Sequence, residues 1–293
     1  MAQWEGKSRG NVLGYKIFVF LFKTIGIGAA YFLLRFVAFY FVLFSPKGTK
    51  ASYYYFHKRR GFSPLKSYFK VYQSYYKFGQ TIIDKTAIGA GLRNKFTYEF
   101  DGVENIIELM KEQKGGIMIS AHIGNFEMAN YFFKEIDVDA QINLVTVNNE
   151  RNELKEYLDS VGAGASVNLI LIQEDMSHIF EIHNALARNE LICFTGDRYF
   201  EGSKVLEEEF LGKSAKFPTG PFLLGSRMKV PVLFVYVMKE TNKHYHLYAR
   251  KAIAKARDPQ SLLKEYNRSN EKMLEKYPLQ WFNYFDFWED KQS

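Results

Sequence analysis

The sequence predicts an α/β protein: a mixed sheet flanked by helices, preceded by an N-terminal membrane-associated helical segment. Three observations carry that expectation. From Gly115 onward, short apolar β-leaning runs alternate with stretches of helical spacing. Between Ile17 and Phe44 the chain is almost wholly apolar, broken only by Lys23 and Arg35. Aromatic residues make up 17% of the 293 positions, and the 27 Phe and 20 Tyr concentrate near the two ends of the chain. Aromatics beside lysine and arginine suit a surface that meets lipid headgroups.

In chain order, residues 24–44 offer enough apolar length to cross a bilayer, although Arg35 falls near the middle, where a charge is costly. Lys7, Arg9 and Lys16 precede the apolar stretch, and Lys47, Lys50, Lys58, Arg59 and Arg60 follow it. A spanning helix with the stronger basic cluster after it keeps the C-terminal part in the cytoplasm. The other reading is a monotopic anchor lying in the interface. A cleaved signal peptide fits poorly, because the apolar region is too long and no small-residue cleavage site follows. Residues 50–85 read as a basic, Tyr-rich helix that either lies in the interface or packs on the catalytic core. The division expected is a membrane-anchoring helical region over 1–85 and an α/β domain over 86–293.

Within the second region the expected strands are Ile117–Ser120, Ile142–Val147, Val167–Ile172, Leu191–Thr195, Val230–Val237 and Tyr245–Lys251. The expected helices are Asn125–Glu135, Glu150–Val161, Met176–Arg188, Gly220–Met228 and Pro259–Tyr277. The single Cys193 sits in an apolar run, cannot form an intrachain disulfide, and reads as a buried structural thiol. A net charge of +7 and a pI near 9.1 favour acidic partners such as anionic lipid, a phosphorylated glycolipid or an acidic carrier protein. No zinc-finger spacing, recognition helix or RNP-type motif points to nucleic acid.

The most informative stretch is Ser120-Ala121-His122-Ile123-Gly124-Asn125-Phe126-Glu127, where a strand hands over to a helix. A histidine and a carboxylate at one such junction can pair, so that one ring nitrogen is held while the other faces a substrate hydroxyl as general base. Gly124 allows close backbone approach, and Asn125 either caps the helix or orients a substrate group. Asp197 and Arg198 follow the strand Leu191–Thr195, at the end of a strand where α/β sites gather. Arg198 there neutralises an acceptor phosphate, stabilises a developing oxyanion, or locks a loop with Asp197. Phe210 to Pro221 brings Gly212, Lys213, Lys216, Phe217, Pro218 and Gly220 to the entrance of a helix, a setting suited to an anion.

These blocks together resemble the lysophospholipid acyltransferase superfamily. His122 to Glu127 is similar to its H-x4-D/E block, and the H-I-G-N-F-E wording to the branch of the lipid A biosynthesis acyltransferases. Gly196-Asp197-Arg198, the Phe210–Pro221 block, Lys229-Val230-Pro231-Val232 and Tyr277-Pro278-Leu279-Gln280-Trp281-Phe282 resemble later blocks of that branch, in the same order. Phe217-Pro218-Thr219-Gly220-Pro221 lacks the Glu and Arg that glycerol-phosphate acyltransferases carry at the comparable place.

The resemblance implies a glycerolipid-acyltransferase-like fold and an O-acyltransferase at the inner membrane. It implies acyl-carrier protein as donor and a lipid A precursor as acceptor, with the catalytic domain on the cytoplasmic side. His122 is the expected general base, Glu127 its orienting carboxylate, and Gly124, Asn125, Asp197, Arg198, Phe210, Gly212, Lys213, Phe217, Pro218 and Gly220 the substrate-binding positions. No metal or organic cofactor is expected. An aminoacyl lipid or a polyene-type lipid as acceptor, and a non-catalytic lipid-binding protein, remain as alternatives.

Several other patterns are set aside. Gly6-Lys7-Ser8-Arg9-Gly10 fits G-x-S-x-G but follows no strand. His178 and His183 do not share a helix face well, and His244 and His246 lie on one strand face without a third ligand spaced for a metal. Asn267-Arg268-Ser269 is a sequon of consequence only in a secreted chain.

Overall fold

The apolar N-terminal stretch folds as two helices, α1 (Val12–Thr24) and α2 (Ile27–Phe44), because Gly26 at φ 115° breaks the helix between them. The computed structural model describes residues 12–129, 141–146, 167–173, 175–200, 202–253 and 255–288. Helix α3 (Pro46–Tyr54) runs into a π-helical turn, Tyr55–Arg59, and after a break comes α4 (Pro64–Ala87). The long helix expected over 50–85 is therefore interrupted, and Pro64 at the first turn of α4 marks the restart.

Helix α2 buries Ile27, Ala30, Tyr31, Leu34 and Ala38, one stripe at helical spacing. Its neighbour is α4, which approaches closely because Gly79 leaves room: a Cβ there would stand 2.3 Å from Leu34 Cδ1. The opposite stripe of α2, Phe32, Phe36, Phe39, Tyr40 and Leu43, faces outward together with Leu65, Tyr68 and Phe69 of α4. The inner side of α4 buries Val71, Ser74, Tyr75 and Ile83. The packed reading of this segment holds on the inner face of α4, and the outer face carries exposed apolar residues.

Beyond a short irregular helical stretch come β1 (Thr97–Asp101), α5 (Val103–Lys111), β2 (Gly116–Ser120), β3 (Ile142–Thr146) and β4 (Val167–Leu171). Then follow α6 (Ser177–Ala187), β5 (Leu191–Thr195), the hairpin β6 (Val205–Phe210) and β7 (Lys213–Pro218), and α7 (Thr219–Arg227). Strands β8 (Val232–Lys239) and β9 (His244–Lys251) and helix α8 (Pro259–Lys276) complete the described elements. The remainder of the helix expected from Asn125, and all of the one expected over 150–161, lie outside the described residues.

Seven of the described strands form one sheet in the order β1-β9-β8-β2-β5-β3-β4. Strands β8, β2, β5, β3 and β4 run parallel, while β9 runs antiparallel to β8 and carries β1 parallel to itself. The fold is the mixed α/β sandwich the sequence predicts. Both faces of the central strands are covered, which is why they read as continuous apolar runs. In β2, Ile117 and Ile119 point to one core and Met118 to the other, the period of two expected of a strand. Cys193 faces the second core, and burial pushes its thiol up to about 12, as expected of an inert structural cysteine.

The N-terminal helices share their cores with the sheet: Tyr55, Val71 and Tyr75 belong to the cluster of Ile119 and Trp281. At the far end, Asp84 of α4 and Lys239 of β8 form a fully buried ion pair. Tyr31 and Tyr245 donate their hydroxyls to that carboxylate, and Lys239 Nζ also donates to Asn242 O at 2.7 Å. Nearly all the donors and acceptors around the pair are therefore supplied by protein, the condition under which a buried pair persists.

Candidate active site

The register of β2 and β5 builds the site. Ser120 pairs with Thr195, so the residues two beyond each strand end, His122 and Asp197, arrive side by side. His122 Nδ1 lies 2.8 Å from Asp197 Oδ1, and the His122 backbone N–H donates to Asp197 Oδ2 at 2.9 Å. The carboxylate is 3% exposed and the imidazole 25%. Burial alone would raise the carboxyl, but the neighbouring His122 and Arg198 and the Asn283 amide outweigh it and hold Asp197 down at about 2. Asp197 is therefore ionised at any working pH and accepts the Nδ1 proton. That leaves Nε2 as the basic nitrogen, with no hydrogen bond to it among the described residues.

The turn after His122 is held by three segments remote in sequence. Phe282 N–H donates to His122 O at 2.8 Å, Gly124 N–H to Gln280 O at 2.8 Å, and Asn125 N–H to Val237 O at 2.8 Å. Ile123 and Gly124 accordingly bridge to Trp281 and Val237. Gly124 sits at φ 69°, and a Cβ there would come 2.2 Å from Val237 O. The glycine is required by the backbone of β8. Asn125 donates its side-chain amide to Thr81 O on α4 at 3.1 Å and makes no side-chain cap, so it ties the turn to the N-terminal helices.

The Nδ1 position is taken by Asp197, a residue the sequence analysis places in substrate binding. Glu127 lies in the short 3-10 turn Phe126–Met128, and its side chain is outside the described residues. Arg198 spends Nε on Asn283 Oδ1 at 2.8 Å and Nη2 on Phe282 O at 3.0 Å. Asn283 in turn donates to Asp197 Oδ2 at 2.8 Å. Arg198 thus fastens the C-terminal segment over the Asp197 carboxylate. Asn283, the residue after the quoted C-terminal block, is the part of this network that sequence reasoning missed.

The Phe210–Pro221 block lies at the entrance of α7, as expected, and its approach to that helix is the turn and second strand of a β-hairpin. Leu211 and Gly212, at φ 52° and 77°, make a two-residue turn of the kind with left-handed residues at both positions. Phe210 and Phe217 are buried: Phe210 stacks on Trp288 and meets Trp281, and Phe217 packs edge-on against Tyr266. Pro218 precedes the first turn of α7, Gly220 lies in that turn with open space around it, and Lys213 reaches back to Tyr54.

His244 gains neighbours that spacing could not show, because Glu99 comes from β1 and Glu240 from the end of β8. Their ligand atoms and that of His244 lie within 4.8 Å of one another. Glu240 is already engaged by the Tyr277 hydroxyl at 2.5 Å and Lys276 at 3.3 Å, so the group is a surface ion network.

A comparison with protein families matches residues 71–288 to the bacterial lipid A biosynthesis acyltransferases. No curated protein matches the chain. The match spans the His122 turn, the Asp197–Arg198 pair, the hairpin and the C-terminal segment that ties them together. The chain belongs to the bacterial lipid A biosynthesis acyltransferase family, and it is an O-acyltransferase acting on a lipid.

Proposed function

We propose that this enzyme moves a fatty acyl chain from an acyl-carrier-protein thioester to a hydroxyl of a lipid A precursor or a similar glycolipid. The observation that carries the mechanism is the buried, ionised Asp197 on His122 Nδ1, with Nε2 left for substrate. Nε2 takes the proton of the attacking hydroxyl as its oxygen bonds to the thioester carbonyl carbon. The tetrahedral intermediate then expels the carrier thiolate, which recovers the proton from Nε2. Asp197 stabilises the imidazolium in between, and Glu127 is a second carboxylate at the same turn. Arg198 and Asn283 act as positioning residues for Asp197.

The membrane face proposed is the outward stripe of α2 together with the start of α4, within an anchoring region over 1–85 that serves an α/β domain over 86–293. Insertion in the plane of the interface suits this arrangement better than a span. An 18-residue helix is about 27 Å long, short of a hydrocarbon core about 30 Å thick. Its inner stripe is sealed on α4, and Arg35 is exposed midway along it. Basic residues around the apolar face favour the anionic cytoplasmic leaflet of the inner membrane.

The test is to incubate purified protein with acyl-carrier-protein thioester and membrane lipid extract, following carrier thiol and acylated lipid together. Equal appearance of both supports transfer. Thiol with free fatty acid would mean hydrolysis, and neither product would mean a lipid-binding protein.

A further inference from the structure

The π-helical turn between α3 and α4 carries Arg59 and Arg60, and across from it lies the tip of the β6–β7 hairpin. Arg59 Nη1 reaches Gly212 O at 3.4 Å, and Lys213 Nζ donates to the Tyr54 hydroxyl at 3.2 Å. Both cations lie over the same ring: Arg59 Cζ is 5.5 Å and Lys213 Nζ 5.6 Å from the centroid of Tyr54. Arg60 stands beside the buried Tyr55. Two cations thus meet at the Tyr54 ring, with Arg60 next to Arg59 in the chain. The carboxylate seen at the hairpin tip, Glu271, is committed to the Leu211 N–H at 2.6 Å.

Two details point from this cluster to a ligand. The Nε groups of Arg59 and Arg60 are both shielded from solvent and have no hydrogen-bond partner among the described residues. An Nε donor shielded from water without an acceptor is costly, and an incoming anion would satisfy it at either arginine. The location gives the second detail. The turn lies between the exposed Leu43 and Phe44 at the end of α2 and the exposed Leu65, Tyr68 and Phe69 at the start of α4. If those rings enter the acyl region, the guanidinium groups stand at headgroup depth.

We propose that Arg59, Arg60 and Lys213 form a phosphate-binding site that takes the phosphate monoester of a membrane-borne lipid. Arg198, for which a phosphate is one of three expected partners, is tied to Phe282 and Asn283. Guanidinium forks suit a dianionic phosphate with several oxygens to share, and Tyr54 fixes the spacing of the two cations above it. The wall Tyr54–Trp288–Trp281, with ring centroids 5.9 and 5.1 Å apart, joins the site to the strand bridge that holds Ile123 beside His122. A chain of packed rings thus connects the site to the catalytic turn.

The test reads binding and not turnover, so its outcome is separate from that of the acyl-transfer reading. Full-length protein is sedimented with phosphatidylcholine vesicles containing either phosphatidic acid or phosphatidylserine at matched surface charge. Arg59→Gln with Arg60→Gln is compared with Lys66→Gln with Lys70→Gln, a charge-matched pair on α4. The wild type should prefer phosphatidic acid, and the arginine pair should lose about tenfold in affinity for it, the size of one lost charge-assisted interaction. The lysine pair should weaken both vesicle types alike and keep the preference. Lys213→Met is the second variant, should the arginine pair fail to keep the wild-type circular dichroism and melting temperature. Stabilisation of the wild type by inorganic phosphate, absent in the variants, would place the affinity in the phosphate alone; protection only by vesicles would place it in the lipid-borne group. No preference for phosphatidic acid in the wild type, or equal losses in the two pairs, overturns the proposal in favour of diffuse charge attraction.

Discussion

Replacing Asp197 with asparagine preserves the volume of the side chain and changes the direction of its hydrogen bonds. The carboxylate accepts three donors: the His122 backbone N–H, His122 Nδ1–H and the Asn283 amide. An asparagine has one oxygen and turns an NH2 toward at least one of those donors. Two effects follow. For stability, a carboxyl held at about 2 against an ordinary 3.8 contributes on the order of 2–3 kcal/mol to folding. The folded-state value is the depressed one, so this term is fully present above the ordinary carboxylate range and lost as pH falls toward 2. The variant should therefore melt lower at pH 7 and show a flatter acid limb. For catalysis, the new NH2 donates to Nδ1 and drives the proton to Nε2, which removes the base. Turnover should fall by about three to four powers of ten. Carrier-thiol release from the acyl thioester measures the rate, and melting curves from pH 2 to 7 measure the stability. Turnover within a few-fold of wild type in a folded variant would refute the pairing of Asp197 with the catalytic imidazole.

Other perturbations follow from the same geometry. Removing one member of the buried Asp84–Lys239 pair, as Asp84→Asn or Lys239→Met, should cost about 3–5 kcal/mol in urea unfolding; the double variant should cost less than the sum of the two. Gly124→Ala forces a Cβ against Val237 O in a left-handed backbone, so activity should drop together with the melting temperature; a fully active, equally stable variant would show that the β8 contact is not needed. Deleting residues 1–44 removes Tyr31 and Leu34 from the Asp84 cluster and the α2–α4 seam; size-exclusion chromatography should show aggregated or unfolded protein, and recovery of a soluble folded monomer would make the helices a detachable anchor.

The sequence made most of this architecture legible where burial is two-sided. Strands β2 and β5 are apolar except for their last residues because cores lie on both faces, and the expected bounds of β2, β3 and β5 match closely. Strand β1 escaped because it lies at the edge, reads Thr-Tyr-Glu-Phe-Asp and is half exposed along its length. The β6–β7 hairpin escaped because its turn uses Leu211 at positive φ where an Asn or Gly is the usual signal. In the site, His122 was visible from its local wording. Its partner was not, because which carboxylate reaches Nδ1 depends on β2 lying beside β5 in a particular register. Likewise Asn125 and Gly124 look like substrate contacts in a linear reading, whereas Thr81 and Val237 claim them in three dimensions.

In the proposed mechanism His122 activates the lipid hydroxyl as general base, and the acyl chain passes directly to that oxygen from the carrier thioester. The most direct measurement is a single-turnover experiment with a radiolabelled acyl chain on acyl-carrier protein and a lipid A precursor in vesicles, run with the wild type and with His122→Ala. The wild type should move label into lipid ester with an equal amount of free carrier thiol and without protein-bound label. His122→Ala, with its melting temperature intact, should be slower by about two to four powers of ten. Label accumulating on the protein, or near-normal transfer by the folded variant, would contradict the account.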